Sequence, residues 1–99
     1  MKILLLGSGG REHAFAWKLS QSPHCTKLYI APGNPGTAAH GQNVPIDPEN
    51  NAAVADFVVD HGIEMVVVGP EAPLVNGVWN YLRRYRSTEH VAIIGPSMQ

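Results

Sequence analysis

The chain has 99 residues, enough for one compact domain with its own core. With 44% apolar residues, 15% charged residues and a net charge of −1, it is globular in composition and lacks the basic excess that marks nucleic-acid binding. One cysteine, Cys25, excludes an internal disulfide and fits a reducing, cytoplasmic setting; no run approaches the ~18 apolar residues of a membrane helix.

The opening "MKILLLG" is too short an apolar run for a signal peptide and reads as a strand over residues 2–6. Residues 10–21, rich in Ala, Leu, Lys and Gln with Phe15 and Leu19 four apart, read as a helix. A second strand is expected at 27–31. A weaker extended segment at 43–46 contains Pro45 and so belongs at an edge or in a connector. Asp47 and Pro48 look like the N-cap and first position of a helix running to His61, with Val54, Phe57, Val58 and His61 on one face and Gly62 as its stop. Strands at 64–68 and 91–94 flank a last helix over 74–85, in which Val78, Tyr81, Leu82 and Tyr85 repeat the packing period. The cations of Arg83-Arg84-Tyr85-Arg86 would then meet the negative end of that helix.

Strands that are short, nearly continuous in apolar residues and closed by Gly or Pro suit a sheet buried on both faces. Their alternation with helices predicts an α/β fold, an open, doubly wound parallel sheet with helices on both faces and right-handed crossovers. Ligands of such sheets sit beyond the carboxyl ends of the strands. Four segments should converge there: Gly7-Ser8-Gly9-Gly10-Arg11-Glu12-His13, Pro32-Gly33-Asn34-Pro35-Gly36-Thr37, Gly69-Pro70-Glu71-Ala72-Pro73-Leu74 and Gly95-Pro96-Ser97. The polar, glycine-rich stretch 32–47 is long for a connection in so small a domain, as functional or mobile loops are.

The first of these segments has the physics of an anion site. Glycines let backbone N–H groups approach a phosphate, a helix N-terminus adds unsatisfied donors, and Arg11 adds a permanent planar cation. A glycine-rich turn alone also serves tight packing. The dinucleotide fingerprint fails twice: Glu12 stands where its third glycine belongs, and no carboxylate ends the second strand. No Gly-Lys-Ser/Thr makes a Walker A loop. Glu71, held between prolines, could accept both hydroxyls of a ribose or could be an exposed loop residue. Asn34 could contact a ligand or simply shape its turn. The histidines at 13, 24, 40, 61 and 90 show no metal-ligand spacing, and no catalytic nucleophile can be argued.

"GSGGREHAFAWKL", "APGNPGTA", "VVGPEAPLVNGV" and "IIGPS", in this order and spacing, resemble the N-terminal domain of the phosphoribosylamine–glycine ligase (glycinamide ribonucleotide synthetase) family along the whole chain. That family belongs to the ATP-grasp ligases. The resemblance implies a part in de novo purine synthesis, where ATP phosphorylates glycine and the amine of 5-phosphoribosylamine attacks the acyl phosphate. The products are glycinamide ribonucleotide, ADP and phosphate. It also implies that Gly9, Gly10, Arg11 and Glu12 form the phosphoribosyl loop, with Asn34 and Glu71 orienting the sugar. ATP and magnesium would be held by further ATP-grasp domains of the same enzyme. The 1–99 chain would then be a single substrate-binding domain, inactive alone, with no catalytic or metal residues of its own and no nucleic-acid or membrane partner. The helix bearing Val75 and Trp79 is one candidate for an interface with those domains, although Trp79 also suits an ordinary core. Two alternatives stay open: the N-terminal domain of another purine-pathway ATP-grasp enzyme, and a stand-alone NAD- or nucleotide-binding module.

Overall fold

The structure, a computed structural model, describes residues 1–7, 10–68 and 80–94, and of residues 10–12 the backbone only. Among the described residues, five strands, β1 (Lys2–Gly7), β2 (Lys27–Pro32), β3 (Gln42–Asn43), β4 (Met65–Val68) and β5 (Ala92–Ile94), form one sheet in the order β3-β2-β1-β4-β5. Every pairing is parallel. Among the described residues, α1 (Gly10–Ser20), a 3₁₀ turn (Thr37–Ala39), α2 (Asn51–His61) and a helical segment over 80–83 lie between the strands.

The apolar run of β1 is explained by its central position. Alternate residues point to opposite faces, and both faces are covered. Ile3 and Leu5 pack with Ala16 of α1, Leu28, Ile30 and Val67. Leu4 and Leu6 pack with Val54, Phe57 and Val58 of α2, and with Leu82 and Val91. Among the described side chains of α1, Ala16 is fully buried, while Phe15 is 43% and Trp17 49% exposed. Its small side chain lets the helix lie close to the sheet.

The start of α2 differs from the sequence expectation. Asp47 accepts from the Glu49 N–H through Oδ1 at 2.9 Å, and its carbonyl accepts from Asn50 N–H at 3.0 Å. This closes a separate turn around Pro48. The N-cap is Asn50, whose Oδ1 accepts from Ala53 N–H at 3.1 Å. Asn50→Ala should therefore cost about 1 kcal/mol in urea unfolding, whereas loss of Asp47 should leave the helix start in place. Gly62 does end the helix, in the left-handed conformation, and Lys2 Nζ donates to the His61 carbonyl at 3.1 Å. A cation there opposes the negative helix end. His61 is on the packed face as expected, stacked on Phe57 with centroids 3.9 Å apart.

Strand β3 is shorter and earlier than the expected 43–46 segment. Val44 N–H still reaches the Ile30 carbonyl at 2.8 Å, but the next N–H that would face β2, that of Ile46, turns back to the Val44 carbonyl at 2.8 Å and ends the ladder. Residues 80–83 are helical, and the expected continuation to Tyr85 does not form. Thr88 Oγ1 donates to the Leu82 carbonyl at 2.6 Å, and Arg83 donates to the Val91 carbonyl at 2.8 Å, folding the chain back into β5. Leu82 is buried as expected and Tyr81 partly so, but Tyr85 is 47% exposed. The remainder of the expected 74–85 helix, with Val75, Val78 and Trp79, lies outside the described residues.

Candidate functional site

The sheet order places β2 and β4 on opposite sides of β1, so the chain changes direction of winding there. Crevices at such a point receive ligands. At that edge Gly7 of β1 is in register with Pro32 of β2, and Leu6 with Val68 of β4. Gly33 N–H donates to the Gly7 carbonyl at 3.1 Å, just past a cis Ala31–Pro32 peptide. The PGN turn is thus tied to the end of β1, and α1 begins three residues beyond Gly7 with its N-terminus at the same edge.

The turn itself is densely bonded. Asn34 Oδ1 accepts from Thr37 N–H at 2.9 Å, while Asn34 N–H donates to Thr37 Oγ1 at 2.8 Å. The single proton of that hydroxyl faces two acceptors, the Asn34 carbonyl and Asn43 Oδ1, each 2.8 Å away. Asn43 Nδ2 donates to the Asn34 carbonyl, also at 2.8 Å. Gly33 has φ +75°; a Cβ there would collide with Asn43 Oδ1 and lie 2.8 Å from Thr37 Oγ1. On the outer side, His13 of α1 sits against Gly36, where a Cβ would come within 2.9 Å of its Nδ1. His13 and His40 face each other with Nε2 atoms 3.0 Å apart, joining α1 to the end of the 3₁₀ turn.

Of the residues expected at the site, Gly10, Arg11 and Glu12 occupy the first turn of α1, and Asn34 closes the neighbouring turn with its side-chain oxygen. Gly9, Glu71 and the 69–74 and 95–97 segments lie outside the described residues. Sequence reasoning placed Thr37 in a converging segment without singling it out, and it missed Asn43. A hydroxyl residue three positions after Asn34 is a legible turn signal. Asn43 had none, because its place depends on the β2–β3 pairing. Burial raises the Cys25 thiol above its ordinary value, the opposite of what activates a nucleophile. Among the described residues no group of three or more His, Cys, Asp or Glu could hold a metal ion, and no helix is long and apolar enough to cross a membrane.

A parallel α/β sheet with a glycine-rich strand-to-helix turn and a second rigid turn at its switch point defines the class of Rossmann-like ligand-binding domains. Within that class, this chain belongs to the family "Phosphoribosylglycinamide synthetase, N domain", whose model matches residues 1–99. It is similar to a phosphoribosylamine–glycine ligase of Rhizobium meliloti (strain 1021), with 55% identity over 97 residues, 98% of this chain and 22% of that protein. It is also similar to the trifunctional purine biosynthetic protein adenosine-3 of Gallus gallus, 53% identical over 79 residues, 78% of this chain and 8% of that one. The crystal structure of a phosphoribosylamine–glycine ligase from Thermotoga maritima superposes with a TM-score of 0.51 at 26% identity, covering 77% of this chain and 18% of that one. The chain thus spans about a fifth of the length of the first of these ligases.

Proposed function

We propose that this domain binds the phosphoribosyl substrate of a ligase that joins glycine to 5-phosphoribosylamine, with ATP converted to ADP and phosphate. The product is glycinamide ribonucleotide, an intermediate of purine synthesis, and the setting is the cytoplasm. Family membership and the names of the relatives support the reaction. The observation that carries the local assignment is the Gly33–Gly7 hydrogen bond, which ties the PGN turn to the strand end from which the glycine-rich loop leaves.

In this reading Gly9, Gly10 and Arg11 hold the phosphate, with backbone N–H groups and a guanidinium as donors. Glu12, Asn34 and Glu71 orient the sugar, Asn34 through the turn that its side chain closes. The domain contributes binding and orientation of the amine, which is a large part of what a ligase must supply before attack. ATP supplies the driving force by activating the glycine carboxylate. ATP and magnesium are assigned to further ATP-grasp domains of the same enzyme.

An amide NMR titration with glycinamide ribonucleotide, run beside NADH, tests the proposal. Saturable shifts at residues 9–12, 34 and 71 are expected with the ribonucleotide and none with NADH. Arg11→Ala should weaken ribonucleotide binding by about 10- to 100-fold, the range of one charge-assisted contact. NADH binding at the same loop, or Arg11→Ala binding as well as the unaltered protein, would count against it.

A further inference from the structure

Thr37 is completely buried, one of two polar residues in that state among the described residues. Burying a hydroxyl costs free energy unless its bonds are replaced, and here they are, by Asn34 and Asn43. The turn is already closed by Thr37 N–H on Asn34 Oδ1. The further bonds, from Thr37 Oγ1 to Asn43 and from Asn43 Nδ2 to the Asn34 carbonyl, are not needed to reverse the chain. They link the turn to β3, where Asn43 is in register with Ile30 of β2. That link ties the far side of the turn to the sheet, as the Gly33 N–H bond to the Gly7 carbonyl ties the near side. Gly33 completes the fit, because it is the one residue type that leaves room for Asn43.

We infer that Thr37 and Asn43 are positioning residues for the ligand: they hold Gly33 and Asn34 at the height above the ends of β1 and β2 that the sugar of a phosphoribosyl compound requires. Neither needs to touch the ligand. This rests on the phosphoribosyl site proposed above. It separates the two ends of the ligand, since the phosphate is held by the glycine-rich loop and the sugar by the turn.

The test compares glycinamide ribonucleotide with inorganic phosphate, both titrated into the protein by amide NMR. Thr37→Val keeps the side-chain shape and removes the hydroxyl. The variant is expected to bind the ribonucleotide roughly tenfold more weakly with phosphate binding unchanged, and Thr37→Ser to restore the difference. Equal loss for both ligands would mean general loosening of the domain and would overturn the inference, as would unchanged ribonucleotide binding. Should Thr37→Val fail to fold, Asn43→Ala removes the link to β3 while leaving Thr37 in place, and the same split is expected. If the unaltered protein shows no saturable response to the ribonucleotide, the phosphoribosyl site itself is wrong and the positioning role falls with it; that outcome is read before any variant is made.

Discussion

Gly33→Ala is expected to abolish ribonucleotide binding and to destabilise the domain by about 2–5 kcal/mol. Two costs combine. At φ +75° an L side chain strains the backbone by roughly 1–2 kcal/mol. The added Cβ would also collide with Asn43 Oδ1 and lie 2.5 Å from its Cγ, an overpacking of about 1–3 kcal/mol. Relief could come only if Asn43 moves, and moving it breaks its bonds to Thr37 and to the Asn34 carbonyl. The variant therefore either keeps the strain or loses the link that sets the turn. Urea unfolding and the ribonucleotide titration check both halves. Stability within ~0.5 kcal/mol of the unaltered protein, the usual range for an innocuous surface change, would show that the turn is not held as described.

Leu4→Ala should have the largest effect on stability alone, a loss of about 2–5 kcal/mol. Leu4 is 0% exposed on the central strand and packs in the cluster formed with α2, Leu82 and Val91. Its neighbours on β2 and β4 are fixed by sheet pairing, Tyr29 on one side and Val66 on the other, so the cavity cannot readily collapse. A domain of this size has only about 5–15 kcal/mol in total, and a melting temperature lower by more than ~10 °C is expected. Ile94→Ala on the edge strand is the matched control. That side chain is 51% exposed, and its loss should be felt far less. Equal effects at the two positions would contradict the placement of the core.

The class of fold was legible from the chain because strands buried on both faces must be apolar at successive residues, as Ile3, Leu4, Leu5 and Leu6 are. The glycine-rich loop and the PGN turn could be placed at one sheet edge for a similar reason. Parallel strands joined by helices all end on the same side, and there Gly7 stands in register with Pro32. Gly62 was readable as a helix stop because its left-handed conformation is a local matter. Where two local signals competed, tertiary structure decided. Asp47 and Asn50 are both capable caps, and the turn around Pro48 took the first, leaving the helix to the second. The helical period through Tyr85 was real in the sequence, but Arg83 and Thr88 found carbonyl partners that turn the chain toward β5 instead. Asn43 is the clearest case at the site. Nothing near it in sequence marks it, because its partners Asn34 and Thr37 reach it only when β3 pairs with β2, and hydrogen bonds across nine residues are set by that pairing.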